Sequence, residues 1–453
     1  KGMERERERE REERKQYFEE MRKKPFPKTK NRTLFDMVEG KKTDHVPVWL
    51  MRQSGLYLPE YKDIRRRNDF FTICQTPQLA CEVTLQPIDR FHDLDAAIIF
   101  SDILVVPQAL GMECVFISGR GPTFPKAIKR EADLEDLLER VRVRKKETGE
   151  HIDVKEKLRD VLDAITLTRV RLRGKVPLLG FVGSPWTLMA YMMEGQGSHT
   201  FPVPKSFLYS FPDKSKELLQ VLTDILVKFL ILQWESGAEA LMVFDPHGGH
   251  LSPSLYSTFS LPFLLQIVKR VREGIKVSWE EGKEDRARDR EEMKKVKAVK
   301  MGQVKQEGEK KEGEKYEEKK EEEEEGECPY VPIGVFSKGS HYALEDLADS
   351  GYDIVGLDWT LDPAEAVQRT GGKVCLQGNL DPCALYGPRG AVRDEVKIML
   401  EGFRGGRLIA NLGHGIHQEH RPSAVLDFVE AVHDFSYLLW PDEKEERGGQ
   451  DGN

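Results

Sequence analysis

The sequence predicts an α/β protein, a single-domain (β/α)8 TIM barrel that carries charged, disordered insertions. Three observations lead there. Eight short apolar runs recur along the chain, each followed by helix-like sequence. The runs are rich in Val, Ile and Leu throughout, as parallel strands buried on both faces are. Each run ends on a polar or glycine-rich group of residues, at the strand ends where such barrels carry their chemistry.

The eight runs are Val46–Met51, Ala96–Phe100, Pro177–Gly183, Ala240–Phe244, Val331–Phe336, Asp353–Leu357, Lys373–Leu380 and Arg407–Leu412. Between them the sequence is amphipathic. Leu218–Glu235 is the clearest case, with Leu219, Leu222, Ile225, Leu226 and Phe229 at helical spacing. A doubly wound open sheet is the competing architecture. No Gly-x-Gly-x-x-Gly or Walker loop follows the first run, which counts against its nucleotide-binding form.

Charged residues make up 33% of the 453 residues and are unevenly placed. Residues 1–30 form a Glu/Arg-rich leader, read as disorder or a solvated helix outside the catalytic body. Residues 278–327 are Glu/Lys-rich with almost nothing to build a core, and read as a disordered insertion within a barrel of 31–440. A smaller charged insertion is expected near 141–153, and a frayed tail over 441–453. Setting these aside leaves roughly 350 residues, enough for one barrel with elaborated loops.

Composition excludes several classes of function. The net charge is −8 and no basic stripe marks the compact part, so nucleic-acid binding is not expected. No apolar run is long enough to cross a membrane. The cysteines at 74, 81, 114, 328, 375 and 383 form no Cys-x-x-Cys pair and read as reduced intracellular thiols. The start of the chain lacks a signal-peptide h-region and is too acidic for a transit peptide. It does not begin with Met, so a removed targeting segment stays open. The cytoplasm is the first expectation for its compartment and the plastid stroma the second.

In chain order the runs end on Arg52-Gln53, Ser101-Asp102, Gly183-Ser184-Pro185, Asp245-Pro246-His247-Gly248-Gly249, Ser337-Lys338, Asp358, Asn379-Leu380-Asp381 and Gly413-His414-Gly415. Each alone has a structural reading as well. Asp102 can cap the next helix, His414 can be a turn residue, and Arg52 can pair with a carboxylate at the rim. Together, in phase with eight strands, they form a pocket. Arg52 and His414 suit carboxylates. Asp102 suits N–H donors or a developing cation. Tyr191 offers a phenol about two helical turns after Gly183. The set fits a polycarboxylate ligand that also carries N–H groups. His247 and His250 are a weak metal-ligand pair without evident partners, so no metal is expected. No Gly-x-Ser-x-Gly elbow is present, and Cys375 inside a strand reads as inert.

These residues also carry a resemblance. The run Pro47-Val-Trp-Leu-Met-Arg-Gln-Ser-Gly-Leu-Tyr-Leu-Pro-Glu-Tyr61 resembles the N-terminal signature of uroporphyrinogen decarboxylases. The run Gly180-Phe-Val-Gly-Ser-Pro-Trp-Thr-Leu-Met-Ala-Tyr-Met-Met-Glu-Gly195 is similar to their second signature. The stretches Ala96–Met112, Gly356–Thr360, Leu376–Tyr386 and Ile409–Gly415 are similar too.

The resemblance implies a (β/α)8 homodimer that uses no cofactor and removes the four acetate carboxylates of uroporphyrinogen III to give coproporphyrinogen III. It implies that Asp102 meets the pyrrole N–H groups, with Arg52 as its catalytic companion. It places Arg52, Gln53, Ser54, Gly55, Leu56, Arg65, Tyr191, Pro246 and His414 at substrate-binding positions. Two residues depart from the family pattern: Leu56 stands where a second arginine is usual, and Pro246 where serine is common. That departure motivates an alternative, a catalytically impaired tetrapyrrole-binding paralogue. A zinc- and thiol-using barrel methyltransferase is a further alternative. It wants a His-x-Cys pair, and this chain has Lys373 two residues before Cys375.

Overall fold

The computed structural model describes residues 2–117, 121–283 and 327–440. Seven strands form one parallel sheet in the order β1 (Ala97–Ile98), β4 (Leu178–Gly183), β5 (Ala240–Asp245), β6 (Ile333–Ser337), β7 (Ile354–Gly356), β8 (Cys375–Leu380) and β9 (Leu408–Leu412). Neighbours in the sheet follow one another along the chain, and helices such as Pro212–Glu235 return the chain between them. Every residue of β6, β7, β8 and β9 is buried. The continuous apolar runs therefore have the cause expected of them, since helices cover one face of the sheet and side chains fill the other.

The first run, Val46–Met51, forms a single parallel bridge, Val48 to Ala410, rather than a full strand. Pro47 has no N–H to give to a ladder. Hydrogen bonds nevertheless tie the run to both edges of the sheet. Towards β9, Ala410 N–H donates to the Pro47 carbonyl at 2.8 Å and Met51 N–H to Asn411 Oδ1 at 3.0 Å. Towards β1, Asp95 N–H donates to the Val48 carbonyl at 2.8 Å, and Val48 N–H returns to Asp95 Oδ2 at 2.8 Å. Gln53 completes the join: its Oε1 accepts Leu50 N–H at 3.0 Å and its Nε2 donates to the Ala96 carbonyl at 3.1 Å. The run is thus the eighth stave, joined to β1 and β9 partly through side chains.

The structure refines the reading of two charged stretches and adds one element. The leader is helical over Gly2–Lys23. Glu and Arg are good helix formers and pair along the helix, as in Arg9–Glu13. Phe18 is fully buried against Cys81 and Leu167, and Arg14 and Arg22 bind Asp160 and Asp163 on the helix Arg159–Leu172. The stretch near 141–153 begins as the end of a regular helix, Glu131–Thr148, which buries Leu134, Leu137, Leu138 and Val141 at helical spacing and stops at Gly149. A two-stranded hairpin, β2 (Val115–Ile117) with β3 (Gly121–Thr123), went unread.

The chain divides into one unit of residues 1–268 with 332–453, which carries the barrel, and a second of 269–331. Of the charged stretch at 278–327, Ser278–Glu281 close the helix Leu261–Glu281, and 284–326 lie outside the described residues, as does the tail 441–453.

Replacing Gln53 with Leu would strand a buried N–H and a buried carbonyl at the join. Each orphaned group costs ~1–3 kcal/mol. Urea denaturation should show Gln53→Leu destabilised by about 2–4 kcal/mol. An unchanged midpoint would show that closure does not depend on this side chain.

Candidate active site

A cavity of about 660 Å³ opens where the strands end. Arg52, Ser54, Gly55, Leu56, Arg65, Asp102, Tyr191, Pro246 and His414 all line it. Gln53 does not. It is fully buried and spent on the barrel join, so the position implied as substrate-binding is a structural one.

Arg52 follows the eighth stave with φ +62°, a left-handed conformation uncommon for a residue with a side chain. Gln53 N–H bonded to the Leu50 carbonyl at 3.0 Å, and Tyr57 Oη donating to the Gln53 carbonyl at 2.7 Å, hold that turn. The Arg52 side chain packs against Gly415. A Cβ on Gly415 would stand 2.3 Å from Arg52 Cδ, and one on Gly413 2.4 Å from Trp359 N. Neither glycine has positive φ. The pair flanking His414 therefore serves close approach rather than a turn.

Asp102 Oδ1 accepts Leu104 N–H at 2.8 Å, a local turn rather than the expected cap, since the helix Val105–Ala109 starts from Leu104 without a side-chain cap. The same carboxylate also lines the cavity. Burial pushes its carboxyl group up, against the Leu104 N–H and the Arg52 charge, which favour the anion. Tyr191 comes from the helix Pro185–Glu194, started by Pro185 and capped by Ser184 Oγ accepting Thr187 N–H at 3.0 Å. Burial, then the Asp102 charge, push its phenol up, so it stays a neutral hydroxyl. His414 is pushed down to about 3 by burial and by the Arg52 and Lys338 charges. It meets a ligand as a neutral imidazole, not as the cationic carboxylate partner its type suggested.

The aromatic wall escaped the sequence reading. Phe70, Phe100, Phe116, Phe181, Phe244 and Phe336 all line the cavity. Phe244 and Phe336 are register partners on adjacent strands, and Phe181 packs on Phe244 at 5.6 Å between ring centroids. Phe116 comes from the unread hairpin and sits 5.4 Å from Phe70, with the Arg65 guanidinium 5.9 Å over its ring. A large aromatic at the inward position of consecutive strands was the available signal. The cavity therefore offers broad apolar walls, the Asp102 and Glu419 carboxylates, the Arg52 and Arg65 guanidinium groups, the phenols of Tyr57, Tyr61 and Tyr191, and the imidazoles of His414 and His417. Such a lining suits a flat, ring-based ligand with N–H groups inside and anionic groups at its edge.

Comparison with known proteins agrees with this geometry. The family model for uroporphyrinogen decarboxylase (URO-D) matches residues 29–283 and 314–435. The chain belongs to the uroporphyrinogen decarboxylase family. It is 45% identical over 416 residues to the uroporphyrinogen decarboxylase of Danio rerio, covering 92% of this chain and 96% of that one. With the Salinibacter ruber protein of the same name it is 42% identical over 411 residues, covering 91% and 98%. Among solved structures, a methyltransferase from Methanosarcina mazei superposes with a TM-score of 0.63 at 19% identity, covering 90% of this chain and 99% of that one, a likeness of fold.

Within a uroporphyrinogen decarboxylase fold, Cys375 has no part in the site. It is fully buried in β8 and burial pushes its thiol up to about 12, so it is no thiolate ligand. Leu56 and Pro246 line the cavity themselves.

The neutral histidines set a pH response. His414 and His247 are pushed down to about 3 and His420 to about 4, from an ordinary value of 6.5. As pH falls below 6.5 the unfolded chain takes up protons at these positions while the folded chain does not, so stability declines from there towards pH 3. The His414 ring signals in NMR should stay those of a neutral imidazole from about pH 8 to about pH 5, and His414→Gln should lessen the acid slope of stability. A His414 midpoint near 6.5 would contradict the desolvated site.

Proposed function

We propose that this chain decarboxylates uroporphyrinogen III, converting its four acetate side chains to methyls with release of CO2 and formation of coproporphyrinogen III. The observation that carries the reading is the Asp102 carboxylate, set among aromatic walls beside Arg52. A cyclic tetrapyrrole with four inward N–H groups and a carboxylate rim is complementary to it.

The chemistry asks little of the protein beyond placement. Protonation of the pyrrole carbon beside an acetate makes a ring cation. The C–COO⁻ bond then breaks, and its electron pair neutralises that cation as an exocyclic methylene. A second proton converts the methylene to methyl while the first is lost from the ring carbon. The net change is one proton in and one CO2 out per acetate. The substrate is its own electron sink, so no cofactor is required. Asp102 accepts the N–H groups and stabilises the cation, in a cavity where its charge is poorly screened. Arg52, with its side chain packed against Gly415, positions the reacting carboxylate and relays the proton through water. Arg65, Tyr191, His414 and the Ser54–Leu56 turn hold the remaining rim.

The proposal includes a homodimer in the cytoplasm or the plastid stroma. Exposed Phe116, Trp359 and Tyr386 supply apolar surface at the strand-end face for a second copy. No described helix is long and apolar enough to cross a membrane.

Anaerobic incubation with uroporphyrinogen III, followed by oxidation and separation of the porphyrins by carboxylate number, tests the reading. A ladder ending at the four-carboxylate product is expected. Binding without carboxylate loss would establish the impaired paralogue instead. Asp102→Asn, which keeps shape and removes charge, should lower kcat by about 10²–10³-fold. Leu56→Arg should raise kcat/KM by about 10–100-fold, since a charge-assisted contact contributes ~1.5–3 kcal/mol. No gain from Leu56→Arg would show that the apolar residue is already matched to the substrate.

A further inference from the structure

A second cluster lies at the opposite end of the barrel. His45 immediately precedes the eighth stave, and Asp95 lies two residues before β1. His433 is in the last turn of the closing helix Pro422–Asp434, which follows β9. Asp102 and Arg52 follow the other ends of β1 and of the eighth stave, so about 17–20 Å of strand separates the two places.

We infer that His45, Asp95 and His433 form a binding site for one borderline divalent cation, of the Zn²⁺ or Co²⁺ type, that locks the barrel join from below. One ligand atom from each residue lies within 4.8 Å of the others. His45 Nε2 is 2.9 Å from Asp95 Oδ1, and His433 Nε2 is 3.4 Å from Asp95 Oδ2. In a tetrahedral site with bonds of ~2.0–2.1 Å, neighbouring donors stand about 3.3 Å apart. The spacing is therefore already near that of a bound ion. The decisive feature is His433 Nε2, which is buried, faces the carboxylate and makes no hydrogen bond. A buried ring nitrogen left without a partner calls for one.

The surroundings suit a ligand set. Asp95 is almost fully buried, and both its oxygens are oriented by outer donors, Asn31 Nδ2 at 2.9 Å and Val48 N–H at 2.8 Å. Metal-ligating carboxylates are held in this way. The two imidazole rings lie 4.2 Å apart and remain partly exposed, which leaves an entry path and an open fourth position for water. Two imidazolium rings that close repel each other, whereas one divalent ion serves both.

The test uses the full chain, stripped of metal with a chelator, and Co²⁺ or Zn²⁺ alone as the probe. One equivalent of Co²⁺ should bind with the visible absorption of a four-coordinate ion. Zn²⁺ should raise Tm in a concentration-dependent way. His433→Gln and His45→Gln should each weaken binding at least about tenfold. Both should leave decarboxylation of metal-free protein unchanged, because they lie outside the strand-end cavity. Where one variant fails to fold, the other decides. The inference is overturned by absence of stoichiometric binding, or by binding that survives both substitutions and so belongs to another cluster such as His417 and His420.

Discussion

Everything at the strand ends depends on how the barrel is joined between its first and last strands. Pro47 cannot donate to a ladder, so backbone pairing alone does not complete the ring of strands. Asp95, Gln53 and Asn411 supply the missing bonds from side chains. All three groups are buried, where an unmade hydrogen bond is expensive, and so the join is specific as well as stable. Its consequence is felt one residue further on. Arg52 leaves the stave in a left-handed turn that only a well-held neighbour could impose, and its side chain is delivered to Gly415.

Three aspartates at strand ends show how the same residue type is assigned to different work. Asp245 is fully buried and accepts hydroxyls from Ser184, Thr187, Ser260 and Ser337. Asp358 accepts the N–H groups of Gly339 and Thr360 together with the Thr360 hydroxyl. Burial pushes its carboxyl group up, but His341 first, and then these donors, hold it well below the usual range. Both are fully engaged in fixing loops. Asp102 accepts only the Leu104 N–H among the described residues, and the rest of its acceptor capacity faces the cavity. A carboxylate with spare acceptors in an apolar surround is poised for N–H donors, and this distinguishes it from its neighbours.

Much of this was legible before any coordinates. Seven of the eight apolar runs hold the parallel strands, because burial on both faces leaves a continuous signature that survives in a single sequence. The polar strand ends fell in phase with them, so the lining residues other than Gln53 could be named. Gln53 was misread because a polar residue beside an active-site arginine looks functional, and only the fold shows both its amide atoms occupied. The aromatic wall was hidden for the converse reason: Phe181, Phe244 and Phe336 read as ordinary core. The leader helix was masked by its charge. One phenylalanine and a few arginine–aspartate pairs were enough to dock it on the helix Arg159–Leu172, and neither signal stands out in a composition profile.

The two ends of the staves divide stability from chemistry. The eighth stave lies between His45 and Arg52, and β1 between Asp95 and Asp102. At the lower end, Asp95 accepts hydrogen bonds from Val48 N–H and Asn31 and pairs with His45. At the upper end the charged groups face open space and aromatic rings. A chain can place a poorly satisfied carboxylate like Asp102 in an apolar cavity only if the scaffold beneath it is over-determined, since burial of that charge opposes folding. The well-held Asp95 carboxylate at the foot of the barrel and the sparsely bonded Asp102 carboxylate at its head are in this sense one design. The bonds made below are what allow acceptor capacity to be left open above, where N–H donors of a ligand can complete it.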